Sequence, residues 1–197
     1  MFRYPYVHPL HVLNLARQVD APILVPPALY FLSMYPLADI LRADHPKLVY
    51  GQNVMGDVLS TALSREDLEN VALMYEHRIV TMLEFCRTFI LSRQPSLRCK
   101  NITATANSIW SGENPCRRGF ASLSSKASRS WFPRTGPLKW MTQVVQMADR
   151  DGILCEECRK ELRVDVTKHR EVLWEELPKV VRMSKWEELA KDDLDSR

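Results

Sequence analysis

The chain has 197 residues with a formal charge of +3, 46% hydrophobic and 26% charged side chains, and 6 glycines against 12 prolines. That length suits one large domain or two small ones with a real core, and the balance is that of a soluble globular protein rather than a disordered or fibrous one. Few glycines among many Leu, Met, Glu, Lys and Arg favour helix over sheet. The N-terminus shows no basic cluster followed by an apolar stretch, and the longest apolar run, Ile23 to Leu32, is too short to span a bilayer and is broken by Pro26 and Pro27. An intracellular location with no membrane partner is expected. Five cysteines, an odd number, argue against a secreted disulfide framework.

Along the chain, Pro9 can open a helix that runs to about Val19, where Asp20 and Pro22 mark a break. Pro27 and Pro36 open two more short helices, Ala28 to Met34 and Leu37 to Ala43. The clearest periodic segment is Ser64 to Ser92. Ser64 is a natural N-cap, with Asp67 three residues on, and Leu68, Val71, Ala72, Tyr75, Ile79, Met82, Leu83, Cys86 and Phe89 form one apolar stripe. Cys86 lies on that stripe and reads as a small buried residue rather than a ligand. Residues 94–136 lose the pattern: serines cluster with Lys126 and Arg129, and a basic, Ser-rich loop is expected. Pro137 restarts helix, Asp151-Gly152 ends it, and a further helix runs from about Glu157 to Leu177, stopped by Pro178. Ser184 and Glu187 cap a last short helix, followed by a polar tail from 191. The expected fold class is therefore mostly α: an irregular helical array with one long amphipathic helix and a long loop. Its parts are residues 1–93, the loop 94–136, the C-terminal helices 137–190 and the tail 191–197.

Charge is uneven. The net values are 0 for residues 1–98, +6 for 99–148 and −3 for 149–197. The basic middle could meet an acidic partner or simply be solvated.

Candidate chemistry centres on cysteine. Cys155-Glu156-Glu157-Cys158 is a C-x-x-C step, which supplies two ligands from one turn, and Cys99 and Cys116 can supply two more to one structural zinc ion. His169 lies two or more helical turns beyond Cys158 and is a poor partner for the same ion. A thioredoxin-like redox site is the competing use of C-x-x-C, but no βαβ pattern surrounds it, and Glu156 and Glu157 are expected to oppose thiolate formation. No nucleophile elbow, phosphate loop or zinc-protease motif occurs, so no catalytic residues are assigned. Trp174-Glu175-Glu176-Leu177 recurs as Trp186-Glu187-Glu188-Leu189, which makes Trp174, Leu177, Trp186 and Leu189 either core anchors or a partner-binding set. Nucleic acid binding through residues 100–134, with Trp110, Phe120, Trp131 and Phe132 as stacking rings, is a less favoured alternative because a recognised motif is missing.

The run Leu10 to Arg17, then Asp20-Ala21 and Leu24 to Tyr30, resembles the helical region behind the BTB/POZ domain of fungal BTB domain proteins. The C-x-x-C step, Leu173-Trp174-Glu175-Glu176-Leu177-Pro178 and Trp186 to Leu189 are similar to the way those chains close. The resemblance touches most of residues 8–34, 60–118 and 137–190. It implies a non-catalytic protein-interaction or scaffold module without a bound cofactor beyond the candidate zinc. The BTB fold itself would precede residue 1. What such proteins do through it, dimerising and in some cases recruiting cullin-type ubiquitin ligases, lies outside the matching segment.

Overall fold

A computed structural model describes residues 7–42, 63–101, 114–130 and 135–195. Among them it places eight α-helices and no strand, so the chain is mostly α as expected. The helices are α1 (Pro9–Gln18), α2 (Val25–Leu32), α3 (Leu37–Arg42), α4 (Arg65–Phe85), α5 (Pro115–Ser130), α6 (Pro137–Asp151), α7 (Glu156–Val180) and α8 (Trp186–Asp195). A 3₁₀ turn, Pro22–Leu24, precedes α2, and a π-type segment, Cys86–Leu91, prolongs α4. The chain divides into two compact units, one of residues 1–78 with 175–197 and one of residues 79–174.

In the first unit, proline starts α1 and a left-handed residue stops it. His8 caps α1, its Nδ1 accepting from the Leu10 N–H at 3.2 Å, and Pro9 takes the first turn, where no intrahelical donor is missed. Asp20 has φ 51°, and the Ala21 N–H closes back on the Ala16 carbonyl at 2.8 Å, ending the helix at the break read from Asp20 and Pro22. Leu10, Leu13 and Ala16 are buried against α2, where Val25, Ala28, Leu29 and Leu32 turn inward. Each fully buried leucine contributes about 1.5–3 kcal/mol. α8 packs on the Pro22–Leu24 turn through buried Leu189. At the start of α4, the Asp67 N–H donates to Ser64 Oγ, the Ser64 hydroxyl donates to Asp67 Oδ2, both at 3.0 Å, and the same carboxylate takes Arg17 Nη2 at 2.6 Å.

The second unit has a different core. Phe85 meets Phe89 stacked at 5.2 Å and Trp140 edge-on at 5.4 Å, and Phe89 meets His169 at 4.6 Å. Met141, Val144 and Ala148 of α6 and Leu162, Val166 and Leu173 of α7 complete it. His169 is thus an aromatic packing residue, in keeping with its poor ligand spacing. Half-buried Cys86 packs against the same core.

Two expectations need correction. Residues 94–136 are not loop throughout, because Pro115–Ser130 is a helix of 16 residues. Its serines and Gly119 have modest helix propensity, but Cys116, Phe120, Leu123 and Ala127 recur at steps of four, three and four and are all buried. Tertiary burial outweighs propensity there. Pro178 does not stop α7, which continues to Val180. A proline there forfeits one i→i−4 hydrogen bond without ending the helix at once, and the chain then turns at Arg182, φ 57°.

Candidate metal centre

Cys99, Cys116, Cys155 and Cys158 converge, with all four sulfurs within 4.8 Å of one another. Cys155 Sγ and Cys99 Sγ are 3.8 Å apart. A zinc ion with Zn–S bonds of about 2.3 Å sets the edges of its sulfur tetrahedron at about 3.8 Å, so the widest pair would need to close by only about 1 Å. None of the five cysteines is in a disulfide. Cys99, Cys116 and Cys158 are buried and Cys155 is half-buried.

Each sulfur is delivered by a definite local device. Cys99 ends a turn in which its N–H donates to the Ser96 carbonyl at 2.9 Å. That turn is pinned to α7: the Ser96 hydroxyl hydrogen-bonds Glu161, and the Arg93 guanidinium meets Asp165 at 2.6 Å while lying over the Phe120 ring. Cys116 stands in the first turn of α5, where Asn114 Oδ1 accepts its N–H at 2.8 Å as an N-cap does. Cys155 immediately precedes α7 and Cys158 lies in its first turn. Two helix N-termini therefore point their positive ends at the cluster, an arrangement that favours thiolates.

Backbone and amide donors add to this. The Ser96 N–H reaches Cys158 Sγ at 3.4 Å, the Cys155 N–H reaches Cys116 Sγ at 3.3 Å, and Asn101 Nδ2 reaches Cys116 Sγ at 3.2 Å. Asn114 Nδ2 stands 3.8 Å from Cys99 Sγ. Such donors orient thiolate ligands and neutralise part of their charge. Burial works against the Cys155 thiolate but is outweighed by the Cys158 and Lys100 N–H groups and the neighbouring thiols, which lower it to about 7. Burial raises the Cys158 and Cys116 thiols. The expected opposition from the Glu pair is thus overridden at Cys155: the backbone donors decide, and the Glu156 carboxylate reaches Lys100 Nζ at 3.2 Å.

Close packing sets the spacing of the two halves of the site. Gly119 of α5 lies against the turn before α7, and a Cβ there would stand 2.6 Å from the Ile153 carbonyl oxygen and 2.7 Å from Leu154 Cδ2. Only glycine lets α5 approach closely enough to bring Cys116 to Cys155.

The four cysteines read from the sequence are the four that meet. Asn101, Asn114, Ser96 and Gly119 were not singled out, although Asn114-Pro115 is a cap-and-first-turn signature that could have located α5 and Cys116 together. The proposed partner-binding residues divide. Leu177 and Leu189 are buried, whereas Trp174 is 37% exposed and Trp186 is half-buried. Trp110, Trp131 and Phe132 lie outside the described residues.

No helix among the described residues is long and apolar enough to cross a membrane. Comparison with known protein families, with curated proteins and with solved structures finds no match.

Proposed function

We propose that residues 79–174 form a helical module stapled by one structural zinc ion on Cys99, Cys116, Cys155 and Cys158, and that the chain acts by association rather than catalysis. The observation that carries this reading is the gathering of four sulfurs from three separate stretches of chain within 4.8 Å. Four protein thiolates fill a tetrahedral ion and leave no position for water or substrate, which is the composition of structural rather than catalytic zinc sites. When bound, zinc would supply cross-linking energy, not a nucleophile. The scaffold role is supported by the mostly helical fold and by the resemblance to the region behind fungal BTB domains.

The asymmetry between a lowered Cys155 and a raised Cys158 at a helix start also suits a dithiol redox pair. Cys99 and Cys116 are superfluous to that use but complete a metal set, so zinc is the favoured reading. Metal analysis of the purified, reduced chain separates the two. One zinc per chain, retained in C86S and lost in C99S, C116S, C155S and C158S alike, is the expected result. A metal-free protein in metal-replete buffer, with a reversible Cys155–Cys158 disulfide indifferent to C99S and C116S, would replace zinc by redox chemistry.

A further inference from the structure

The outer face of α5 has no role in the metal centre. Its inner face is the line Cys116, Phe120, Leu123 and Ala127. Outward stand Arg118, Ser122, Ser125 and Arg129, exposed at steps of four, three and four, with Arg117 exposed beside them. The stretches 98–101 and 114–130 together hold six Lys and Arg side chains and no Asp or Glu. Two of the six are ion-paired: Lys100 with Glu156 at 3.2 Å and Lys126 with Asp151 at 2.8 Å. Arg98, Arg117, Arg118 and Arg129 have no carboxylate at ion-pair distance among the described residues. Arg98 is exposed one residue before Cys99, whose sulfur lies within 4.8 Å of that of Cys116 in the first turn of α5, so it stands near the N-terminal end of that helix.

We propose that this face binds the phosphodiester backbone of duplex nucleic acid without reading its sequence. Four uncompensated guanidiniums make a run of one sign that phosphates complement. Arg118 and Arg129 are separated by about 16 Å along the helix axis, enough to reach both phosphate rails of a groove about 12 Å wide. The small serines between them let a backbone approach and offer hydroxyl donors, a common phosphate contact. The line from Arg118 to Arg129 carries no aromatic ring on which unpaired bases could stack, which favours a duplex over a single strand. Nor does it carry a large apolar side chain to sink into lipid, as an interfacial helix needs, which favours nucleic acid over an anionic membrane.

The test uses the full zinc-loaded chain and a labelled duplex of about 20 base pairs, followed by fluorescence anisotropy across a salt series. Four phosphate contacts give a log–log salt slope near −3.6, so affinity falls roughly 100-fold between about 50 and 200 mM salt. R98A/R117A/R118A/R129A is expected to abolish that response, and R117A/R118A/R129A to leave a slope near −1. Because these side chains are exposed, fold and zinc content should be unchanged. Should an alanine variant fail to fold, R117Q/R118Q/R129Q decides, since it keeps long polar side chains but removes the charge and should likewise leave a slope near −1. The proposal falls if the duplex does not bind at low salt, if binding ignores the arginines, or if phosphatidylserine vesicles bind more tightly through the same arginines. Zinc content is read on the same samples, so failure here leaves the metal reading standing, and loss of zinc with binding intact overturns only the latter.

Discussion

The two units solve the same problem, holding helices together, with different materials. The first draws on aliphatic burial: short helices, α1 fixed at its ends by Pro9 and Asp20, press Leu10, Leu13, Leu29 and Leu32 inward, and Ser64 with Asp67 caps the start of α4. The second must retain α5, a helix whose exposed half is serine and arginine, and does so with Phe120 and Leu123 plus four convergent thiols. A helix of modest propensity gains from a further tie to its neighbours, and the proposed zinc cross-link would supply one. The contrast teaches where each unit should fail.

Removing zinc is expected to have the largest effect. A strong chelator or C158S should release α5 and the 96–101 turn. Zinc binding in small thiolate modules is worth on the order of 10 kcal/mol, more than the roughly 5 kcal/mol margin of a small domain, so the second unit should lose its cooperative thermal transition. Next comes L29A in the first unit. Truncating a fully buried leucine costs about 2–5 kcal/mol, measured by urea denaturation, and zinc stoichiometry should stay at one. If L29A lost zinc, the division of labour would be wrong.

G119A is subtler. The added methyl meets the Ile153 carbonyl, so α5 must move off, at about 1–3 kcal/mol, with weaker zinc retention against a competing chelator. D67A removes a capping interaction and a partly exposed pair with Arg17, and should cost about 1–2 kcal/mol in the first unit only. The smallest effect concerns Asp151, whose carboxyl Lys126 and then Arg150 hold below its ordinary value. A depressed carboxyl stabilises above its unfolded-state pKa and loses that contribution as pH falls through the folded one. K126M should therefore lower stability slightly at neutral pH, leave it nearly unchanged at pH values below the folded-state pKa, and so flatten the acid limb of a stability–pH profile.

The sequence made different parts of this legible to different degrees. Proline starts, the Ser64 cap and the Gly152 stop, which adopts φ 60°, are local signals, and they place α1, α4 and α6 well. α5 was obscured because serine-rich composition masks a four-residue apolar stripe whose value is realised only in the folded core. Pro178 places the end of α7 only to within one turn, because a proline costs a single intrahelical hydrogen bond and the helix runs two residues past it. At the site, the C-x-x-C step was local and plain. That Cys99 and Cys116 join it depends on the Ser96 turn and the Gly119 approach, both long-range, so the set could be nominated but its convergence could not be read.

Hydrogen exchange, followed by peptide mass spectrometry on the reduced chain with and without chelator, tests the central claim most directly. The account predicts that protection in residues 96–101, 114–130 and 155–162 collapses when zinc is removed, while 9–18 and 25–32 exchange as before. Unchanged protection in the three cysteine-bearing segments, in a sample shown to have lost its metal or never to have held any, would contradict it.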